Sequence, residues 1–240
     1  MALYPNIVVF AMGGFASYMS LIYAFPQIIS KSDHIVLSYF LYFLSLFFLF
    51  MFLWCWIHTV TTDPGRITDF LQQKGLLDEI KRGDVPFCLH KLPICHECNV
   101  PMPPNSYHCE FCNSCHLRYD HHCGVVGQCI ADKNTKSFIL SLFYAFIFGI
   151  ISALICFYYS FKLNSHNIFT FDRSETVVFI AGTYSAIFSV FIGNFAITML
   201  VHQILSLKSM NKDINFTNFS KIFGDKWYKM LNPIQKDATN

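Results

Sequence analysis

Asp120-His121-His122-Cys123 places a thiol next to two imidazoles and a carboxylate. An ordinary cysteine, with a pKa of about 8.5, is only a few per cent thiolate at neutral pH, so a nucleophilic one needs a base or a positive field nearby. His121, two residues upstream of Cys123, can take the thiol proton. Asp120 can orient that imidazole and stabilise the imidazolium, as in cysteine–histidine–acid triads.

The flanking residues point to a second kind of chemistry. Cys95-x2-Cys98 has the spacing of a zinc knuckle, in which a tight turn lets two thiolates converge on one tetrahedral ion. His108-Cys109-x2-Cys112-x2-Cys115 adds four more ligands, and His122 and Cys129 complete eight, enough for two four-coordinate zinc sites. Cys88, Cys123 and several histidines, His121 among them, are left over. Spacing alone leaves open how the ligands divide and which of His121 and His122 binds metal. Residues 85–133 are rich in turn formers (Pro93, Pro101, Pro103, Pro104, Gly124) and poor in large apolar side chains. Such a loop buries too little surface to fold unaided, and a structural metal supplies what the core lacks.

The elements that position this loop are apolar. Of 240 residues, 54% are hydrophobic and only 13% charged, with 27 Phe and 12 Tyr, whereas globular domains carry roughly 25% charged residues. The net charge of +2 offers nothing to a nucleic acid. Residues 1–30, 34–62, 137–161 and 176–207 contain no Asp, Glu, Lys or Arg. Each exceeds the roughly 20 residues that an apolar helix needs to cross the hydrocarbon core, where helices satisfy their own backbone amides. The fold class expected is an α-helical integral membrane protein of four transmembrane helices, with a cysteine-rich domain between helices 2 and 3. Its expected parts are helices 1 and 2 in 1–62, the zinc domain in 63–136, helices 3 and 4 in 137–207, and a tail in 208–240 with an amphipathic element. Segment 61–136 holds eight Lys and Arg and 208–240 holds six, so the positive-inside bias places the zinc domain and both termini in the cytosol. The cytosol is reducing, which favours metal binding or catalysis over disulfides for these cysteines.

The loop resembles the cysteine-rich domain of the DHHC family of protein S-acyltransferases (palmitoyltransferases). The resemblance rests on Cys95-x2-Cys98, His108-Cys109, Cys112, Cys115, Asp120-His121-His122-Cys123, Cys129, Asn134 and Phe138. Asp63-Pro64-Gly65 resembles the family's DPG motif, and Asn218-Phe219-x3-Phe223-Gly224 with Pro233 its C-terminal element. The resemblance implies one structural zinc on Cys95, Cys98, His108 and Cys115 and another on Cys109, Cys112, His122 and Cys129. It implies that Cys123 takes a palmitate-like acyl group from acyl-CoA as a thioester, activated by His121 and Asp120, and passes it to cysteines of membrane-associated proteins. The membrane would be the Golgi, the endoplasmic reticulum or the plasma membrane. Lys133 and Lys136 are candidates for the CoA phosphates or, equally, membrane-surface anchors. Gly13, Gly14, Gly149, Gly182 and Gly193 are expected to permit close helix packing or, for some of them, to open an acyl cavity. His90, His96 and His116 match no ligand position and read as solvated loop histidines.

Three features depart from the family. Gly124-Val125 stands where it has Pro-Trp, its TTxE motif is absent near 211–214, and Asn105 replaces a basic residue. They motivate the competing reading, a membrane scaffold whose zinc loop binds partners without catalysis.

Overall fold

The computed structural model describes residues 11, 13–30, 32–84, 89, 91–164 and 173–210. Among them, three helices are long and apolar enough to cross a membrane, at Ile35–Thr61, Thr135–Tyr158 and Phe179–His202. The first expected span lies partly outside the described residues; its remainder is helical, residues 13–18 leading into a π-helical turn, Met19–Ala24, continued by helix α1, Phe25–Ser30. The 208–240 tail beyond Met210, Cys88 and His90 also fall outside them. Helix α2, Ile35–Thr61, exposes Phe40, Phe43, Phe47, Phe50, Trp54 and Ile57. Side chains of this kind on an uncharged helix belong against lipid, and the protein is a membrane protein.

The chain divides into two compact units. One draws on Met1–Trp54 and Ser141–Gln203, the other on Cys55–Leu140 and Ile204–Asn240. In the first, Leu21, Ala24 and Phe25 pack with Ile155, and Tyr42, Leu46 and Phe148 lean on the same cluster. The Ser20 hydroxyl meets Ser152 and lies 3.0 Å from the Cys156 sulfur, so these three polar groups satisfy one another across helices. A Cβ on Gly149 would lie 3.2 Å from the Ser189 carbonyl and 3.3 Å from Gly193 Cα, so this pair does permit close packing. Among the described residues, nothing lies within 4 Å of a Cβ placed on Gly13 or Gly14.

The second unit holds the cysteine-rich segment. It contains a small core that periodicity in so turn-rich a stretch did not suggest. Two short helices, α3 (Ile67–Gln73) and α4 (Leu77–Lys81), bury Ile67, Leu71 and Leu77 against Val100, Cys95 and Cys115. Cys95 and Cys115 therefore rest on an apolar floor. Two antiparallel hairpins follow, β1 (Tyr107–Cys109) with β2 (Ser114–His116), and β3 (His121–Cys123) with β4 (Gln128–Ile130). Their registers pair His108 with Cys115 and His122 with Cys129. An isolated bridge, Ile94 to Pro101, precedes them.

Asp63-Pro64-Gly65, just past the end of α2, is bonded into this unit. Asp63 Oδ1 accepts the Gly65 N–H at 2.8 Å, the Pro64 carbonyl accepts the Lys133 N–H, and the Gly65 carbonyl accepts the Leu117 N–H. Gly65 has φ +100, and a Cβ there would also press on Asp132 at 3.4 Å. Asn134 forms the other joint, where β4 turns into helix α5 (Thr135–Asn164). Fully buried, it accepts the Ala131 N–H and donates to the Cys129 carbonyl, each at 2.9 Å. Asn134→Ala would strand both backbone groups at a cost of about 1–3 kcal/mol each. The expected result is a Tm lowered by roughly 5–10 °C in a thermal scan of the detergent-solubilised protein.

Candidate active site and metal clusters

The hairpins bring the eight sequence-predicted ligands into two groups, Cys95, Cys98, His108 and Cys115, and Cys109, Cys112, His122 and Cys129. In each group the ligand atoms lie within 4.8 Å of one another. His108 Nδ1 is 3.6, 3.3 and 3.6 Å from the sulfurs of Cys95, Cys98 and Cys115. His122 Nδ1 is 3.6, 3.3 and 3.7 Å from those of Cys109, Cys112 and Cys129. A zinc tetrahedron with sulfur at about 2.3 Å and nitrogen at about 2.0 Å has S···N edges of about 3.5 Å, so the donor sets fit such an ion. The thiols tell the same story electrostatically. Burial and the neighbouring sulfurs push Cys115 and Cys129 up. At Cys95 and Cys109 burial also opposes ionisation, but backbone N–H and neighbouring thiol hydrogen bonds bring both below their ordinary value. Three thiols this close ionise together only around a cation.

Cys123 ends β3, buried, and belongs to neither group. His121 Nδ1 and Asp120 Oδ2 are 2.6 Å apart. Among the described residues, Nε2 is buried without a partner at full hydrogen-bond geometry. Burial lowers the basicity of His121, but hydrogen bonding to Asp120 and to the Cys123 side chain outweighs it and raises the pKa to about 9. Burial opposes ionisation at Cys123 too. His121 and the backbone N–H groups of Val126 and Val125 more than offset it, so the thiol sits below its ordinary value. The Phe138 ring meets His121 edge-on, centroids 5.7 Å apart, and fixes the imidazole plane. The arrangement can hold a thiolate against an imidazolium that a carboxylate steadies.

Several side chains stand differently from their sequence reading. His96 is exposed, but His116 is a corrected expectation. It is fully buried, with Nε2 3.0 Å from the Ser114 hydroxyl, because β2 turns it inward beside the core. Lys136 is buried rather than reaching to a surface. Lys133 lines a cavity of about 300 Å³ with Arg66 and Arg118. Asn105 has φ 63, a left-handed turn suited to Asn, and its carbonyl accepts the Tyr119 N–H. Gln128 was missed altogether. Its amide Nε2 lies 2.6 to 3.1 Å from the carbonyls of Thr59, Val60 and Thr62, capping the end of α2. Only its place directly before Cys129 hinted at it.

Fold and site together define a membrane protein with a doubly clustered Cys/His domain and a Cys–His–Asp constellation. The sequence pattern of the family described as DHHC palmitoyltransferase matches residues 89–221. Probable protein S-acyltransferase 13 of Arabidopsis thaliana is 30% identical over 213 residues, 76% of this chain and 68% of the relative. Probable protein S-acyltransferase 12 of the same plant is 33% identical over 147 residues, 59% of this chain and 50% of the relative. Palmitoyltransferase ZDHHC15A of Danio rerio is 32% identical over 118 residues, 41% of this chain and 36% of the relative. The chain thus spans about two thirds of the first relative and half or less of the other two. The chain belongs to the DHHC palmitoyltransferase family, and its enzyme class is protein palmitoyltransferase.

Proposed function

We propose that the chain is a four-span S-acyltransferase that moves a long-chain acyl group from acyl-CoA to cysteines of proteins at the cytosolic membrane face. The observation that carries this reading is the 2.6 Å contact between Asp120 Oδ2 and His121 Nδ1 beside the buried Cys123. The boundaries we assign are 1–62 and 137–207 for the spans, 63–136 for the zinc domain and 208–240 for the tail. The charge bias puts the zinc domain and termini in the cytosol, on an endomembrane or the plasma membrane.

In the first step, His121 takes the Cys123 proton and the thiolate attacks the acyl carbonyl. A carbon–sulfur bond forms to Cys123, the bond to the CoA sulfur breaks, and the departing thiolate takes the proton from the imidazolium. In the second step a substrate thiol gives its proton to His121 and accepts the acyl group, regenerating the Cys123 thiol. One thioester replaces another, so the site needs placement more than driving force. Burial contributes about 0.8 kcal/mol per methylene, which draws a C16-like chain to the apolar level of the spans. Arg66, Arg118 and Lys133, around one cavity, are the cations we assign to the CoA phosphates. Cys95, Cys98, His108 and Cys115, and Cys109, Cys112, His122 and Cys129, would each hold a structural zinc. Closed four-ligand zinc supplies cross-linking and leaves no position for substrate.

The test is incubation of purified protein with labelled palmitoyl-CoA. The expected result is one hydroxylamine-sensitive label per chain, with free CoA released in equal amount and the label passing to an added cysteine-containing membrane protein. Zinc-loaded, folded protein that takes no label would instead be the scaffold.

A further inference from the structure

The cysteine-rich segment is a threefold repeat. Cys95, Cys109 and Cys123 follow one another at intervals of fourteen residues, and so do Asn99, Asn113 and Gly127. Each of the latter three has positive φ, 51, 47 and 79 respectively. The pairings repeat at the same interval, Ile94 with Pro101, His108 with Cys115, and His122 with Cys129. Even the bonds to sulfur recur. Backbone N–H groups of Glu97 and Cys98 serve Cys95, those of Phe111 and Cys112 serve Cys109, and those of Val125 and Val126 serve Cys123. The first two turns are the knuckles of the metal clusters, and each takes its remaining ligands from the strands of the next hairpin. The third has Val126 in place of the second thiol. Lys136 and Phe143 stand where its outer ligands would fall, and there the chain has already entered α5.

The geometry points to Cys123 as the sulfur of a third, metal-less knuckle, in which the Val125 and Val126 amides position the reacting atom and Gly127 permits the turn. This rests on the reading of Cys123 as the acyl carrier. The two metal knuckles hold their sulfur with the same amides, so the third presents a thiolate pre-placed by backbone while leaving its lone pairs to an electrophile. Gly127 is a positioning residue, and its constraint is conformational, because a Cβ there would meet none of the described residues within 4 Å. Asn tolerates the left-handed region and fills the equivalent places in the first two turns, whereas a β-branched residue does not.

Full-length Gly127→Asn and Gly127→Val are compared by rate of acyl-enzyme formation and by zinc content. Gly127→Asn is expected within about threefold of the parent, and Gly127→Val slower by about 30-fold or more, both with two zincs per chain. Equal rates for the two variants overturn the knuckle. Label persisting in Cys123→Ser would instead overturn the acyl-carrier reading beneath it. Val126→Cys tests the geometry without disturbing Gly127. A mild azo oxidant, itself reduced to the hydrazine, should oxidise the introduced thiol and Cys123 to a disulfide. That disulfide should be visible by peptide mass spectrometry, block acylation and be reversed by dithiol. Failure of this disulfide to form in zinc-loaded protein overturns the proposal.

Discussion

Cys123→Ser is expected to take no acyl label, while His121→Ala and Asp120→Asn take it at graded, lower rates. The grading follows from the contacts. Serine keeps the shape of the site but replaces a readily ionised, strongly nucleophilic thiol with a far less acidic hydroxyl in a site built around sulfur. His121→Ala removes the base and the positive partner of the thiolate, a loss of about 10²–10⁴ in rate where a positioned base carries the proton. Asp120→Asn keeps a hydrogen-bonding group at 2.6 Å from Nδ1 but not its charge, so the imidazolium loses its counterion and the rate falls by roughly 10²-fold or more. All three variants should keep two zincs, since none is among the clustered ligands. Single-turnover labelling with metal analysis checks the series. Undiminished label in His121→Ala would remove the imidazole from the chemistry.

Cys115→Ser is expected to cost more than one zinc. Hairpin β1–β2 serves both clusters, giving His108 and Cys115 to the first and Cys109 to the second, with Cys112 in its turn. Loosening it at one cluster frees the other, so metal content should fall from two per chain to well below one. Structural zinc is worth on the order of 10–16 kcal/mol in zinc-finger peptides, far beyond what the small core around Ile67 and Leu71 can replace. Acylation should disappear with it, because β3 carries both His122 and Cys123. A Cys115→Ser protein retaining one full zinc, measured by mass spectrometry of the metal, would mean that the clusters fold independently.

Much of this site could be read from spacing because its physics is short-range. Two thiolates that share an ion must be a turn apart, so Cys95 with Cys98 and Cys109 with Cys112 declared themselves. Division of the ligands between two clusters could not be read that way, since it depends on the register of β1–β2 and β3–β4. The long uncharged helices were evident from composition, but α3 and α4 were not. Each is barely two turns, and their apolar residues make sense only against Val100 and the knuckle cysteines. His116 read as a solvated residue because nothing local announces that a strand will turn it inward. The threefold repeat had a visible signal, Asn99, Asn113 and Gly127 at equal intervals, which gains meaning only once their φ angles are known.

The Gln128 amide on the last carbonyls of α2 has a mechanical consequence. It ties the β3–β4 hairpin to the C-terminal turn of α2 through the very residue that pairs with Cys123. Within this unit the place of the Cys123 sulfur is thereby referred to the last turn of that helix, like a nib fixed to the shaft of a pen.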